Sequence, residues 1–473
     1  MNRYLFILII AVGFAMCQAP TASTSSNPKD SKSAVGNAMA TFKTYCTGCH
    51  GDNAEVFVDR KWKHGSTRPE IIKSVTGGYP DNGMPAWGAA LKPQQIEELG
   101  DYIMAAIERN KTFESNEKLV SNIFECADIK IRLDTVAFGT KNPWGMTFLP
   151  DGDMIYTDRE GPIYRIDKSG TKTLITGGPK VLAQGQGGLL DVELHPEFGK
   201  NQFIYLSYSK FKDSSGTVLS TTAVMRAKLV GNLLTDQKDI FVAEPYQTTR
   251  YHYGSRLEFD RSGYLYVSVG DRGQHVPLLP QKLDNDCGKI HRILDDGGIP
   301  ADNPFVKTAG AHSSIWSYGH RNPQGIALNP ANGELWENEH GPRGGDEINI
   351  SSKGKNYGWP SISYGINYDG TVMTPNTKMA GMEQPITYWV PSIAPSGMLF
   401  VNSDRYKAWK GQVLVGSLRF KYLDLCKLQG NKVTKQETLF KNIGRLRAVE
   451  MGRDGFIYIA VEDPGFIFRL VPM

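Results

Sequence analysis

One short unit recurs through the C-terminal two-thirds of this chain. It is a turn carrying Gly or Asn, then alternating aliphatic and aromatic residues, then a small or charged residue. Copies run at Asp151-Gly152 before Met154-Ile155-Tyr156, and at Gly199-Lys200-Asn201 before Phe203-Ile204-Tyr205. Others are Ser262-Gly263 before Tyr264-Leu265-Tyr266 and Asn332-Gly333 before Glu334-Leu335-Trp336. The last two are Lys410-Gly411 before Gln412-Val413-Leu414, and Asp454-Gly455 before Phe456-Ile457-Tyr458. Period-2 runs after turn signals read as hairpin strands. The copies are unevenly spaced, roughly 45 to 80 residues apart, which is the signature of a β-propeller with long loops between blades. Gly161-Pro162-Ile163-Tyr164-Arg165 and Pro464-Gly465-Phe466-Ile467-Phe468-Arg469 match as further strands of two units. A sandwich or barrel is the alternative that strands alone allow.

Composition narrows the remaining options. At 40% apolar and 22% charged residues the chain is not a disordered one. Six Cys in 473 residues are too few for a disulfide scaffold. A formal net charge of +4 with no long basic run argues against nucleic acid as a partner. The 50 Gly exceed the usual ~7% and suit many tight turns.

The first residues read as an export signal. Arg3 precedes an apolar run from Leu5 to Met16, shorter than the ~20 residues a spanning helix needs and of signal-peptide length. Cys17 follows, then a Ser/Thr/Asn/Lys-rich stretch from Gln18 to Ser33. Two readings fit. One is a lipoprotein signal with the lipid on Cys17; the other is a plain signal, since Met16 stands where the first usually has a small residue. Both place the mature protein outside the cytoplasm, periplasmic or lipid-anchored to a membrane.

After this tether, Cys46-Thr47-Gly48-Cys49-His50 is a CxxCH string, read as c-type haem attachment. Cys46 and Cys49 can each bond a haem vinyl, and His50 can then reach the iron. Met84, in Gly83-Met84-Pro85, can fill the opposite iron site and raise the potential. A helix is expected over Val35 to Tyr45. A second, opened by Lys92-Pro93, carries Ile96, Leu99, Ile103 and Ala106 on one face. Tyr45 and Trp87 are expected to pack on the haem. The order of parts resembles a small all-α class I cytochrome c domain. A lone CxxCH could also be a metal site.

Several loops of the repeat region carry ionisable residues. His252 precedes a strand and Asp271 ends the strand of the same unit. An acid beside a His fixes its tautomer and raises its basicity, so the pair is a candidate general base; a structural His fits too. Arg321 offers a fixed cation. Arg445 and Arg447 point the same way on a strand, and with Arg419 form either a nest for a ligand with several carboxylates or a solvated surface ladder. Gly341-Pro342-Arg343-Gly344-Gly345-Asp346-Glu347 mixes exposed carbonyls with two acids, the oxygen chemistry Ca²⁺ takes.

These strings together resemble the soluble pyrroloquinoline quinone (PQQ)-dependent glucose/aldose sugar dehydrogenases. The resemblance runs from about residue 130 to the C-terminus. It rests on Gln184-Gly185-Gln186-Gly187-Gly188-Leu189-Leu190 with His195-Pro196, and on Gly319-His320-Arg321-Asn322-Pro323-Gln324-Gly325. It rests also on Glu339-His340-Gly341-Pro342 with Asp346-Glu347-Ile348-Asn349, and on Asn356-Tyr357-Gly358-Trp359-Pro360. The resemblance implies a six-bladed propeller with PQQ over the channel mouth. It makes His252 the general base, Asp271 its orienter and Arg321 the stabiliser of charge on the quinone oxygen. It places Asn322, Gln186, Arg419, Arg445 and Arg447 on PQQ, and the carbonyls of Gly341 and Pro342 on its Ca²⁺. Asp346 and Glu347 match positions of a second, structural Ca²⁺ site. Three departures touch the sugar side. Arg419 replaces a Lys, Tyr251 an acidic neighbour of the base, and Val390 an aromatic.

The expected organisation is a signal (1–17), tether (18–34), cytochrome c domain (35–110), linker (111–128) and six-bladed propeller (129–473). The expected activity is oxidation of an aldose C1 hydroxyl to the lactone at PQQ. Electrons would pass to the protein's own haem c, then to an external acceptor such as another cytochrome. A Ca²⁺-dependent propeller hydrolase of lactonase type is the alternative enzyme, and a non-catalytic electron-transfer or binding protein the alternative to catalysis. Cys126, Cys287 and Cys426 fit either one disulfide plus a free thiol or three buried thiols.

Overall fold

The computed structural model describes residues 37–46 except 43, then 62, 64–79, 84–111, 121–126, 128–273, 278–368, 371–462 and 465–473. Cys17, Cys49 and His50 lie outside the described residues.

The N-terminal part is helical. Residues 37–42 and 44–45 are helix, followed by helices Arg68–Gly77 and Pro93–Lys111. Thr67 and Glu70 form a reciprocal capping box at the first of these two, with Thr67 N donating to Glu70 Oε2 at 2.9 Å. Phe42, Ile71, Leu99, Ile103 and Ala106 form a buried core, as the apolar spacing of the last helix requires. Cys46 and Met84 pack against this core, and Met84 exchanges backbone hydrogen bonds with Tyr79. Tyr45 meets Trp87 edge to face at 5.5 Å. Among the described residues no helix is long and apolar enough to cross a membrane.

The rest is six antiparallel sheets. Strands β1 (Ile123–Cys126) and β2 (Ile129–Phe138) come first. The first blade is β3 (Pro143–Phe148), β4 (Met154–Asp158), β5 (Ile163–Ile166) and β6 (Lys172–Ile175). The second is β7 (Leu189–Leu194), β8 (Phe203–Ser214), β9 (Thr217–Val230) and β10 (Leu233–Val242). The third is β11 (Leu257–Phe259), β12 (Leu265–Val269), β13 (Lys289–Ile293) and β14 (Ile315–Tyr318). The fourth is β15 (Pro323–Leu328), β16 (Leu335–Glu339), β17 (Asp346–Ser351) and β18 (Thr387–Trp389). The fifth is β19 (Pro395–Phe400), β20 (Val413–Ser417), β21 (Tyr422–Gln429) and β22 (Lys432–Leu439). The sixth is β23 (Arg445–Met451), β24 (Ile457–Glu462) and β25 (Phe466–Pro472), completed by β2 and β1 in the order β1-β2-β25-β24-β23.

The first strand of each blade touches the first strand of the next, from β3 through β7, β11, β15, β19 and β23 back to β3. This is a closed six-bladed propeller. The six turn units each sit between the first and second strands of one blade. Gly152, Gly263, Gly333, Gly411 and Gly455 supply the positive φ of that turn. In the second blade a short helical turn, Phe198–Asn201, ends on left-handed Gln202 instead.

β1 lies within the segment 111–128 that the sequence reads as linker. Its residues alternate exposed and half-buried, so it has no apolar run to announce it; pairing with β2 alone makes it a strand. Cys126, Cys287 and Cys426 are free thiols. Burial pushes Cys126 and Cys287 up to about 12, so both are protonated and inert at neutral pH.

The ring is closed by β2 on β25, with Leu133 opposite Leu470 and both in the core cluster of the last blades. Leu133→Ala should cost about 2–5 kcal/mol in denaturant unfolding of the propeller. A loss below ~1 kcal/mol would show that the closing strand does not carry the ring.

Candidate active site

In an antiparallel blade the entry of the first strand and the exit of the second lie at the same end. Every site residue predicted in the propeller falls at such a place or on the strand beside it. Gln186 precedes β7, His252 precedes β11 and Asp271 follows β12. Arg321 and Asn322 precede β15, Gly341 and Pro342 follow β16, and Arg445 and Arg447 open β23. In five blades the first hairpin carries a register shift at this same end, for example between Pro143 and Met146 and between Pro323 and Gly325. Bulges there re-aim side chains towards the axis.

His252 and Asp271 meet. His252 Nδ1 lies 2.6 Å from Asp271 Oδ1, so the neutral imidazole donates there and keeps the Nε2 lone pair free. Asp271 Oδ2 accepts from Trp359 Nε1 at 2.8 Å, and Oδ1 from Gly273 N at 2.6 Å. The acid is therefore fully engaged and cannot turn away. His252 has φ +55°, a conformation costing a non-glycine residue about 1–2 kcal/mol. Gln186 Oε1 holds it there by accepting His252 N at 2.8 Å. Gly270 allows the approach: a Cβ would lie 2.3 Å from His252 O and 2.8 Å from Asn322 Oδ1.

Burial and the nearby Arg321 guanidinium push the His252 imidazole below its usual range, against the pull of Asp271. Burial works against charge on Asp271, yet His252 and Arg321 hold its carboxyl below the usual carboxylate range. At neutral pH the pair is thus a neutral imidazole on a carboxylate.

Arg321 donates from Nη1 to the carbonyls of Gly341 (2.6 Å) and His340 (3.0 Å), and lies over the Trp359 ring at 5.2 Å. Its Nε and the Nδ2 of Asn322 are buried without a hydrogen-bond partner. Arg321, His252, Asp271, Trp359, Tyr251 and Tyr368 border a cavity of about 510 Å³. A second cavity, about 370 Å³, shares Gly185 and Gln186 with it. Three guanidinium groups (Arg159, Arg445, Arg447) and one carboxylate (Glu462) line the second, so its charge is positive. Arg447 donates to Glu462 at 2.7 Å and to Gln324 Oε1 at 3.0 Å; Arg445 donates to the other Glu462 oxygen at 3.2 Å.

Asn322 and Gly341 border neither cavity, and three further predicted residues are placed differently. Arg419 donates to Ser392 O at 3.3 Å and does not line either cavity. Asp346 and Glu347, neighbours on β17, point to opposite faces of the sheet and do not converge on one site. Asp346 braces the Gly341 loop: its Oδ1 accepts Gly341 N (2.8 Å), and its Oδ2 accepts Ser392 Oγ (2.7 Å) and Ala394 N (2.8 Å). Burial pushes its carboxyl up to about 6. Glu347 accepts Asn349 Nδ2 at 3.2 Å. Sequence reasoning missed the roles of Trp359, Gln324, Tyr368 and Glu462. Trp359 stood inside a quoted motif, but nothing local marks its N–H as the partner of Asp271, 88 positions away.

Residues 140–469 match the family model described as glucose/sorbosone dehydrogenase. The chain belongs to the glucose/sorbosone dehydrogenase family. Residues 33–103 match the model for cytochrome c oxidase, cbb3-type, subunit III, which supports the reading of a cytochrome c module before the propeller. The aldose sugar dehydrogenase YliI of Escherichia coli is 41% identical over 362 residues, covering 75% of this chain and 96% of that protein. Among solved structures, the soluble aldose sugar dehydrogenase of E. coli in the apo form is 39% identical. It has a TM-score of 0.68 and covers 72% of this chain and all of that one. The PQQ-bound aldose sugar dehydrogenase of Streptomyces coelicolor is 28% identical, with a TM-score of 0.60 over 72% of this chain and 98% of that one. As a member of this family the chain is an oxidoreductase, and the hydrolase and non-catalytic readings fall away.

Because His252 must be neutral to act as a base and its pKa is depressed, activity should rise with pH through a midpoint below about 6.5 and be flat above it. A pH profile of kcat/KM checks this; a midpoint above 7 would remove His252 as the controlling group.

Proposed function

We propose that this sugar dehydrogenase oxidises the C1 hydroxyl of an aldose to the lactone, using PQQ and Ca²⁺, and feeds its own haem c. The observation that carries this reading is the His252–Asp271 pair, with a free imidazole Nε2, opening on a cavity that adjoins a cationic one. The donor set fits PQQ. Three Arg against one Glu suit a ligand with several carboxylates, because guanidinium pairs with carboxylate through two parallel bonds. The orphaned Nε of Arg321, a residue that borders the larger cavity, is a buried N–H donor in want of an acceptor, as a quinone oxygen would be. The carbonyls of Gly341 and Pro342 would ligate Ca²⁺. Gly341 O already accepts from Arg321 and keeps a second lone pair.

PQQ, when bound, supplies a two-electron acceptor for the hydride that leaves C1. His252 Nε2 takes the proton of the anomeric hydroxyl as the C–O bond becomes a carbonyl. Asp271 holds the imidazole in the right tautomer and stabilises the imidazolium that results. Arg321 meets developing negative charge from a fixed position, so nothing reorganises as the reaction proceeds. Trp359 fixes Asp271 and carries Arg321 on its ring, tying base and cation to one rigid group. Cys46 and Cys49 would bond the haem, with His50 and Met84 on the iron. A haem on the same chain has a high effective concentration as electron acceptor. The N-terminal apolar segment would direct export, with Cys17 as the residue a lipid would modify, and an external acceptor would reoxidise the haem.

Purified protein given PQQ, Ca²⁺ and an aldose should reduce an artificial dye and release lactone. No turnover with any aldose would sink the reading. His252→Ala should retain PQQ binding but lose about 10²- to 10⁴-fold in kcat. Met84→Ala should keep covalent haem and lower its midpoint potential; an unchanged potential would exclude Met84 as ligand.

A further inference from the structure

The carbonyls of Arg321 and Asn322 are taken by Asp271 N (2.7 Å) and His340 N (3.2 Å), yet no strand ladder takes their N–H groups. The two residues stand just before β15, whose first residue, Pro323, has no N–H to give. The ladder between β15 and β16 then shifts register between Pro323 and Gly325. The N–H groups of Arg321 and Asn322 are buried and must find another acceptor. Both find Glu339, the last residue of β16. Its Oε2 accepts Arg321 N at 2.5 Å and Asn322 N at 3.1 Å. Its Oε1 lies 3.3 Å from His320 Nδ1, so one carboxylate holds three consecutive residues. Glu339 is 4% exposed and borders neither cavity. His320 is stacked on Tyr357 at 4.6 Å and bonded through Nε2 to Ser317 Oγ at 2.8 Å, which fixes the far side of the clamp.

We propose that Glu339 is a positioning residue for the reaction. It fixes the backbone of Arg321 and Asn322 so that the guanidinium reaches over Trp359 to the cavity and the Asn322 amide meets Gly254 and Gln324. The inference rests on the function proposed above. Glu337 provides the comparison within the same network. It lies two residues earlier on the same face, is equally buried, and takes Asn349 Nδ2 at 2.9 Å. It approaches His320 Nδ1 at 3.6 Å without bonding either N–H.

The test uses Glu339→Asp, Glu339→Gln and Glu337→Asp in the full chain. Asp keeps the charge but is one methylene too short to bring an oxygen to the two N–H groups; Gln keeps the reach. In the apo protein, hydrogen exchange of the peptide containing Arg321 and Asn322 should quicken in Glu339→Asp and not in Glu337→Asp. PQQ affinity, read by tryptophan fluorescence, and kcat should each fall about tenfold or more in Glu339→Asp, with the KM for aldose within about twofold. Glu339→Gln should stay within about threefold of wild type. Glu337→Asp should lower Tm yet leave PQQ affinity alone. Unchanged exchange and PQQ binding in Glu339→Asp, or equal losses in Glu337→Asp, would overturn the assignment. A wild-type protein that binds no PQQ would refute the proposed function, while the exchange measurement would still judge the clamp.

Discussion

Pairing between β2 and β25 turns six sheets into a ring. It joins residues near 130 to the last residues of the chain, from Ile131 opposite Pro472 to Phe138 opposite Phe466. Closing so long a loop costs little more than closing a short one, because the entropy grows only with the logarithm of length. The ladder and the apolar contacts around Leu133, Ile459 and Leu470 repay it. Once the ring is shut, the starts of all inner strands face one axis. Residues from loops 186 to 462 then share one end of the molecule, although they are scattered through the sequence.

At that end the chemistry is held by buried polar groups that each do two tasks. Asp271 orients His252 and is itself pinned by Trp359. Glu462 neutralises part of the Arg445–Arg447 charge and aligns both guanidinium groups. Asp346 holds the Gly341 turn. Fixed charges on such buried groups act more strongly than they would in water. Its cost shows in His252, held in a left-handed conformation, and in donors on Arg321 and Asn322 left without partners. Such strain and unmet bonding are features of sites built for a ligand.

Much of this was legible in the sequence. Each of the six turn units marks one blade, because a two-residue period after a turn can be read locally. His252, Asp271, Arg321 and the Arg445–Arg447 pair were legible because ionisable residues at strand ends stand out from an apolar pattern. What escaped was set by contacts between strands and between blades. Trp359 reaches Asp271 from another blade, and Glu462 meets its Arg partners only through strand pairing. Asp346 looked like a metal ligand beside Glu347, but its donors come from Ser392 and Ala394, and β17 sends the two acids to opposite faces. β1 escaped because pairing, not composition, makes it a strand.

Coupling between sugar oxidation and the haem is tested most directly by absorbance of the intact protein under anaerobic conditions. Oxidised haem, PQQ and Ca²⁺ are mixed with an aldose, and the reduced-haem band is followed with no other acceptor present. The band should grow only when PQQ is included and be lost in His252→Ala. A haem that stays oxidised while the same sample reduces an added dye would contradict electron transfer from the propeller to its own cytochrome.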